Sequence, residues 1–311
     1  MSQSFNTASL SYGEIVAMNK FLRIGIYTVA IVLTIAFIAI VALQWNSHRK
    51  LNRVFDVVVA PVPYATGVAV LTQGSSLYNS RGCAECHGVD GAGRTFIDDP
   101  NGLFARSANL TRGNGSAVLS YTELDWVRAI RHGVKPDGRP LFVMPSEDYS
   151  RLSNDDLAAL VAYTRSLQPQ DAHGTDIRLP LIVKLAHGAG VLKDAAEKID
   201  HSVPPSLPVP AAPTVDHGRY VAQTCIGCHG PALHGGRIPG APPDWPPATK
   251  IVACEGSAIS RYRDVANFNT MMRTGVRPDG TQVNLVMPFE SLKHLNDTDL
   301  DALYVYLTSP K

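Results

Sequence analysis

Two five-residue stretches constrain this chain more than any other feature: Cys83-Ala84-Glu85-Cys86-His87 and Cys225-Ile226-Gly227-Cys228-His229. Both read C-x-x-C-H. Thiols at this spacing can each bond one of the two vinyl groups on a haem edge, and the adjoining histidine then lies under the ring to ligate iron. With five cysteines and ten histidines in 311 residues, composition does not explain the pair. A zinc knuckle or a disulfide is the other chemistry open to such residues, but zinc would have to draw ligands from both pentads at once. The sequence therefore predicts two covalently bound haem c groups. Cys83, Cys86, Cys225 and Cys228 attach them, and His87 and His229 bind their irons.

The pentads belong to a longer repeat. At an offset of 142 residues, Tyr78 matches Tyr220, Cys83 matches Cys225, and Gly133-Val134-Lys135-Pro136-Asp137-Gly138 matches Gly275-Val276-Arg277-Pro278-Asp279-Gly280. Beyond that the offset is 143, pairing Met144-Pro145 with Met287-Pro288 and Leu157 with Leu300. A period this long, far above that of a solenoid, points to duplication of a whole domain.

A six-coordinate haem iron needs a ligand opposite its histidine, commonly methionine in electron carriers. Met144 lies 57 residues after His87 and Met287 lies 58 after His229. Both precede a proline and a capped C-terminal helix, so Met144 and Met287 are the expected second ligands. Met271 and Met272 align with Ala129 and Ile130 and are expected to pack around the second pocket. His132, His234 and His294 lack a histidine at the matching position of the other half, so surface or packing roles are expected. The turns at Pro100 and Pro242, each 13 residues past its histidine, are candidates for the carbonyl that orients the imidazole. Two ligands on each iron leave no open position for oxygen or peroxide, so no catalytic residue is assigned.

Composition places the chain among globular proteins, with 45% apolar and 18% charged residues. A net charge of +1 without basic blocks gives no support for a nucleic-acid partner. Cys254, the fifth cysteine, reads as a buried small apolar residue. The uncharged run from Ile24 to Leu43 spans about 30 Å as a helix, the thickness of a bilayer core. It is too long for a signal-peptide core and lacks a cleavage site, so an uncleaved anchor is expected, with Trp45 at the interface. Lys20 and Arg23 precede the run, whereas Arg49, Lys50 and Arg53 follow it, which slightly favours a cytoplasmic C-terminal side. Haem attachment after export favours the opposite.

The remaining elements follow from local patterns. Ser120-Tyr121-Thr122-Glu123 reads as a capping box ahead of a helix that stops at Gly133. Ser153 opens another helix and Asn296 is its counterpart, while Asn101 to Leu119 reads as loop. The expected organisation is an N-terminal segment (1–23), an anchor (24–45), an extended connector (46–73), a haem domain (74–169), a Pro-rich linker (170–213) and a second haem domain (214–311).

From Gly74 onward the chain resembles class I cytochrome c. That likeness implies a mainly α fold: one N-terminal transmembrane helix and two tandem class I cytochrome c domains. Ala108-Asn109-Leu110-Thr111 and the segment from Arg128 to Leu167 are similar to cytochrome subunits of membrane-bound bacterial dehydrogenases. The resemblance implies a dihaem electron relay from a catalytic partner to quinone, a soluble cytochrome or a terminal oxidase. It also implies a bacterial inner-membrane location with the haem domains on the periplasmic side. Such subunits often carry three haems and a C-terminal anchor, unlike this chain. The dihaem subunit of a cbb3-type oxidase is the alternative, and a stand-alone dihaem peroxidase or thiosulfate dehydrogenase a third.

Overall fold

A computed structural model of the chain describes residues 12–242 and 244–310, with side chains from Lys20 onward. Residues 1–11, part of the expected N-terminal segment, lie outside the described residues.

Helix α1 (Tyr12–Leu51) extends beyond both ends of the apolar run, and its Lys20–Leu51 stretch is long and apolar enough to cross a membrane. Side chains such as Ile24, Val29, Leu33 and Phe37 are exposed. Residues 20–42 are exposed and α7 packs only on the end of the helix, so this long apolar surface fits a surround of hydrocarbon. Thr28 and Thr34 turn their hydroxyls back onto the carbonyls of Ile24 and Ala30, which satisfies them inside the helix itself.

After α1 come α2 (Val68–Ser80), which starts ahead of the expected boundary at residue 74, and α3 (Cys83–His87). Strands β1 (Thr95–Asp98) and β2 (Phe104–Arg106) pair antiparallel, and β3 (Asp176–Arg178) adds to β2. The stretch from Asn101 to Leu119, read as loop, thus contains a strand. It pairs both with β1 just upstream and with β3 about seventy residues downstream, and the non-local pairing leaves no local pattern to read.

Helix α4 (Glu123–His132) has its capping box two residues later than expected: Thr122 and Asp125 bond reciprocally. Glu123, the other acidic choice, instead accepts the Tyr64 N–H from the connector at 3.1 Å. Helices α5 (Ser146–Tyr149) and α6 (Asn154–Ser166, capped by Ser153) follow. Then come α7 (Leu181–Gly188) and α8 (Ala195–Lys198).

The second half carries α9 (Val215–Val221), a 3-10 turn (Ala222–Cys225) and α10 (Ile226–His229). It continues with α11 (Val265–Thr274), α12 (Phe289–Leu292) and α13 (Asp297–Thr308, capped by Asn296).

The two halves repeat in detail. Thr122 and Asp264 cap α4 and α11, and both helices stop at a left-handed glycine, Gly133 (φ 65°) and Gly275 (φ 72°). The bridge between Val134 and Pro140 recurs between Val276 and Gln282. Each half has its own apolar core, one around Tyr78, Trp126 and Leu157, the other around Phe268, Met271 and Leu300.

In both cores the first helix crosses the last with backbones in contact. A Cβ at Gly74 would strike the Ala159 carbonyl and the Tyr163 side chain, and one at Gly218 would strike Ala302 and Tyr306. This equivalence corrects the pairing of Tyr78 with Tyr220. Measured from the crossing glycine, the place of buried Tyr78 is taken by buried Ala222. Tyr220 instead reaches the other half, where its hydroxyl bonds Asp156 and accepts the Ser153 N–H. The first helix of the second half is shorter, so the constant offset through the pentads hides a compensating shift ahead of them.

Residues 170–203 pack closely on what precedes them. Ala195 and Ala196 are buried beside Gly133 and Val134. Helix α7 lies along the end of α1, where a Cβ at Gly188 would strike the Leu43 backbone. Around this joint Asn46 donates to the Gly188 carbonyl (2.7 Å), Arg53 pairs with buried Asp194 (2.8 Å) and Lys50 with Glu197 (2.9 Å). His187, Asp194 and Glu197 come close enough to hold a metal ion, but Arg53 and Lys50 already neutralise the two carboxylates.

Two predictions follow from the packing. Gly74→Ala and Gly218→Ala each destabilise by about 1–3 kcal/mol through forced backbone separation, while Gly174→Ala, with open space around it, leaves the urea midpoint unchanged. His132 Nδ1 and His201 Nδ1 lie 3.0 Å apart, and burial together with its neighbour pushes His132 down to about 4. The unfolded chain then binds the extra proton between about pH 6.5 and 4, so this contribution to stability is lost as pH falls through that window. His132→Asn flattens that part of the pH–stability curve.

Candidate haem sites

Each pentad forms a single helical turn, α3 and α10, at the end of the first helix of its half. The chain leaves each turn through a glycine at positive φ, Gly88 (80°) and Gly230 (75°). The turn exposes one face to the apolar core, against which Cys83 and Cys225 pack. Burial pushes the Cys83 thiol up to about 12 and that of Cys225 to about 11, and raises Cys86 and Cys228 as well. An apolar setting that raises these thiols opposes the thiolate form that zinc coordination needs. Among the described residues no three ligand atoms of the pentads converge, and all five cysteines are free.

The histidines are fixed by one bond each. His87 Nδ1 lies 2.9 Å from the Ala108 carbonyl and His229 Nδ1 lies 2.7 Å from that of Thr249. A carbonyl only accepts, so each Nδ1 carries the proton and each Nε2 keeps its lone pair for a metal. Burial lowers both histidines' pKa, which favours the neutral form a ligand needs.

The orienting carbonyls are therefore Ala108 and Thr249, not those of the Pro100 and Pro242 turns. The Pro242 carbonyl accepts the Trp245 N–H within its own turn. Proline spacing alone could not find them, because the loops between pentad and carbonyl fold back through tertiary contacts. In the first half, buried Asn109 ties that loop down, bonding the Asn114 and Gln170 carbonyls and Thr111. Ser107 donates to the Cys86 carbonyl at 2.6 Å, closing the loop onto the pentad.

In the second half, His229 and Met287 line one largely apolar cavity, with Cys225, Met271, Met272 and Phe268 among its other walls. Met271 and Met272 are almost wholly buried packing residues, as their alignment with Ala129 and Ile130 implies. In the first half, Met144 and Cys83 pack half-buried on the same core as Trp126 and Val127. The methionine loops match: the Met144 carbonyl accepts the Ser146 N–H and the Met287 carbonyl the Phe289 N–H. His234 and His294 are exposed, and His132 is engaged with His201. Cys254, expected to be buried, is exposed, its thiol turned to the Val252 carbonyl. The half-buried thiols at the core edge, the imidazoles with free Nε2 and the apolar cavity fit a haem.

Comparison with known proteins agrees with this chemistry. Residues 69–163 match the family model described as "Cytochrome C oxidase, cbb3-type, subunit III". The fructose dehydrogenase cytochrome subunit of Gluconobacter japonicus is 28% identical over 80% of this chain and 54% of its own length. The gluconate 2-dehydrogenase cytochrome c subunit of Pantoea cypripedii is 28% identical over 78% of this chain and 59% of its own. The cytochrome c subunit of the quinone alcohol dehydrogenase of Gluconobacter oxydans is 26% identical over 78% and 55%. The chain thus spans little more than half the length of these relatives. Residues 69–163 form a cytochrome c domain, which implies covalently bound haem c, and about four-fifths of the chain is homologous to the cytochrome c subunits of fructose, gluconate and alcohol dehydrogenases.

Proposed function

We propose that the chain is a membrane-anchored dihaem cytochrome c with two tandem class I domains. Cys83 and Cys86 bind one haem and Cys225 and Cys228 the other; His87 with Met144 and His229 with Met287 ligate the irons. The observation that carries this reading is the matched pair of Nδ1–H bonds to Ala108 and Thr249, which present a free Nε2 in both halves. A haem so held changes iron oxidation state by one electron. With His87 and Met144 on one iron and His229 and Met287 on the other, no coordination position would be left for oxygen or peroxide, which suits electron relay.

The relay runs from a dehydrogenase partner to quinone, a soluble cytochrome or a terminal oxidase, by analogy with the relatives. Their likeness extends over most of this chain, whereas the oxidase-subunit family model is matched by the first domain alone. The haem domains sit on the periplasmic face of a bacterial inner membrane, because haem c is attached after export and a large following domain can translocate regardless of a small charge difference.

Haem count, spectroscopy with potentiometry, and co-purification test this. The alkaline pyridine spectrum of the purified chain gives two haem c groups per polypeptide, and Cys225→Ala/Cys228→Ala reduces the count to one. Met144→Ala removes roughly half of the sulfur-to-iron(III) charge-transfer band and lowers one of two reduction potentials. An unchanged band would show that Met144 is not a ligand. Gentle detergent extraction co-purifies a dehydrogenase subunit; recovery with oxidase subunits would favour the alternative assembly.

A further inference from the structure

The two pentads meet the opposite half in a reciprocal way. Glu85, between Cys83 and Cys86, accepts a hydrogen bond from Ser291 on α12. Gly227, between Cys225 and Cys228, lies against α5, where a Cβ would be 2.5 Å from Asp148 Oδ1. Glu85 and Gly227 are equivalent in the repeat, as are Asp148 and Ser291. The same pair of positions therefore meets twice, with the halves exchanged, which is the mark of an approximate two-fold axis. Such an axis brings the two cysteine edges toward one another.

Arg81 breaks that symmetry. Its Nη1 donates to Thr224 Oγ1 at 2.8 Å, next to Cys225, and its own carbonyl accepts the Tyr149 hydroxyl at 2.8 Å. The side chain is 7% exposed and its Nε has no partner. Among the described residues no carboxylate forms an ion pair with it. Buried arginines are rarely left without a counter-charge. Arg81 stands two residues before Cys83, and its guanidinium reaches the residue before Cys225, so it adjoins both attachment edges. Burial pushes Asp148 up to about 7, which leaves only a partial negative charge on that side. The position matching Arg81 in the second half is neutral Gln223.

We propose that Arg81 is a redox-positioning residue shared by the two haems, a single buried cation between two attachment edges that face each other across a pseudo-two-fold interface. This rests on the reading that both pentads carry haem. Oxidation adds one positive charge to a haem, and a buried cation nearby disfavours that state with little screening. Arg81 thus holds both irons toward the reduced form. With haem bound at both pentads, the facing edges would also give a short path for one electron inside the chain, one iron being oxidised as the other is reduced with no bond or proton moved.

The test is potentiometric titration of the full chain in detergent, after the haem count of each protein has been measured. Arg81→Gln is expected to weaken reduction of both haems about tenfold, about 59 mV for a one-electron couple, while Arg81→Lys retains most of the wild-type values. Glu85→Gln, a small change that removes the opposite charge at the same interface, is expected to shift both potentials upward and does not depend on Arg81 variants folding. Two bound haems with only one potential moved, or neither, would overturn the sharing and leave the dihaem reading intact. One haem in the wild type would overturn the dihaem reading and this inference with it.

Discussion

The contact on which the rest depends is the crossing of the first and last helices of each half, where backbone meets backbone. Gly74 and Gly218 are the residues that permit it, because any Cβ there would strike the carbonyl of Ala159 or Ala302. The crossing fixes the direction in which the chain enters its pentad, and with it which face of the C-x-x-C-H turn is presented to the core. A side chain at either glycine would lift the pentad away from the apolar surface that buries Cys83 or Cys225.

With the pentad placed, a single carbonyl sets the chemistry of each histidine. Ala108 and Thr249 take the Nδ1 proton and so leave Nε2 as the metal-binding atom. The loop that supplies Ala108 is held by Asn109 and Thr111 through the Gln170 carbonyl, at the start of the segment that leads away from the first domain. That segment then pairs as β3, packs as α7 on α1 and buries Ala195 and Ala196 beside Gly133. Phe142 stacks edge-on against buried His187 at 5.1 Å, which joins the Met144 loop to the end of the membrane helix. The proposed haem ligand and the anchor therefore share one packed joint.

Much of this was legible because the signals are local. C-x-x-C-H states its chemistry within five residues, the apolar run states its length, and Ser153 and Asn296 cap the helices they precede. Local competition could still mislead: Ser120 with Glu123 and Thr122 with Asp125 both fit a capping box, and Glu123 was claimed by Tyr64 from a distant segment. The pairing of Tyr78 with Tyr220 failed for a related reason. A shortened helix ahead of the second pentad kept the numerical offset while moving the tyrosine from core to interface.

The amino-acid sequence alone determined the haem chemistry, the anchor and the doubled architecture as an expectation, since covalent spacing, hydropathy and repetition are properties of neighbouring or regularly spaced residues. Tertiary structure decided which carbonyls orient the histidines, how residues 170–203 grip the membrane helix and where Arg81 sits between the pentads. Those depend on which distant segments meet, and a buried guanidinium reads the same in a sequence as an exposed one.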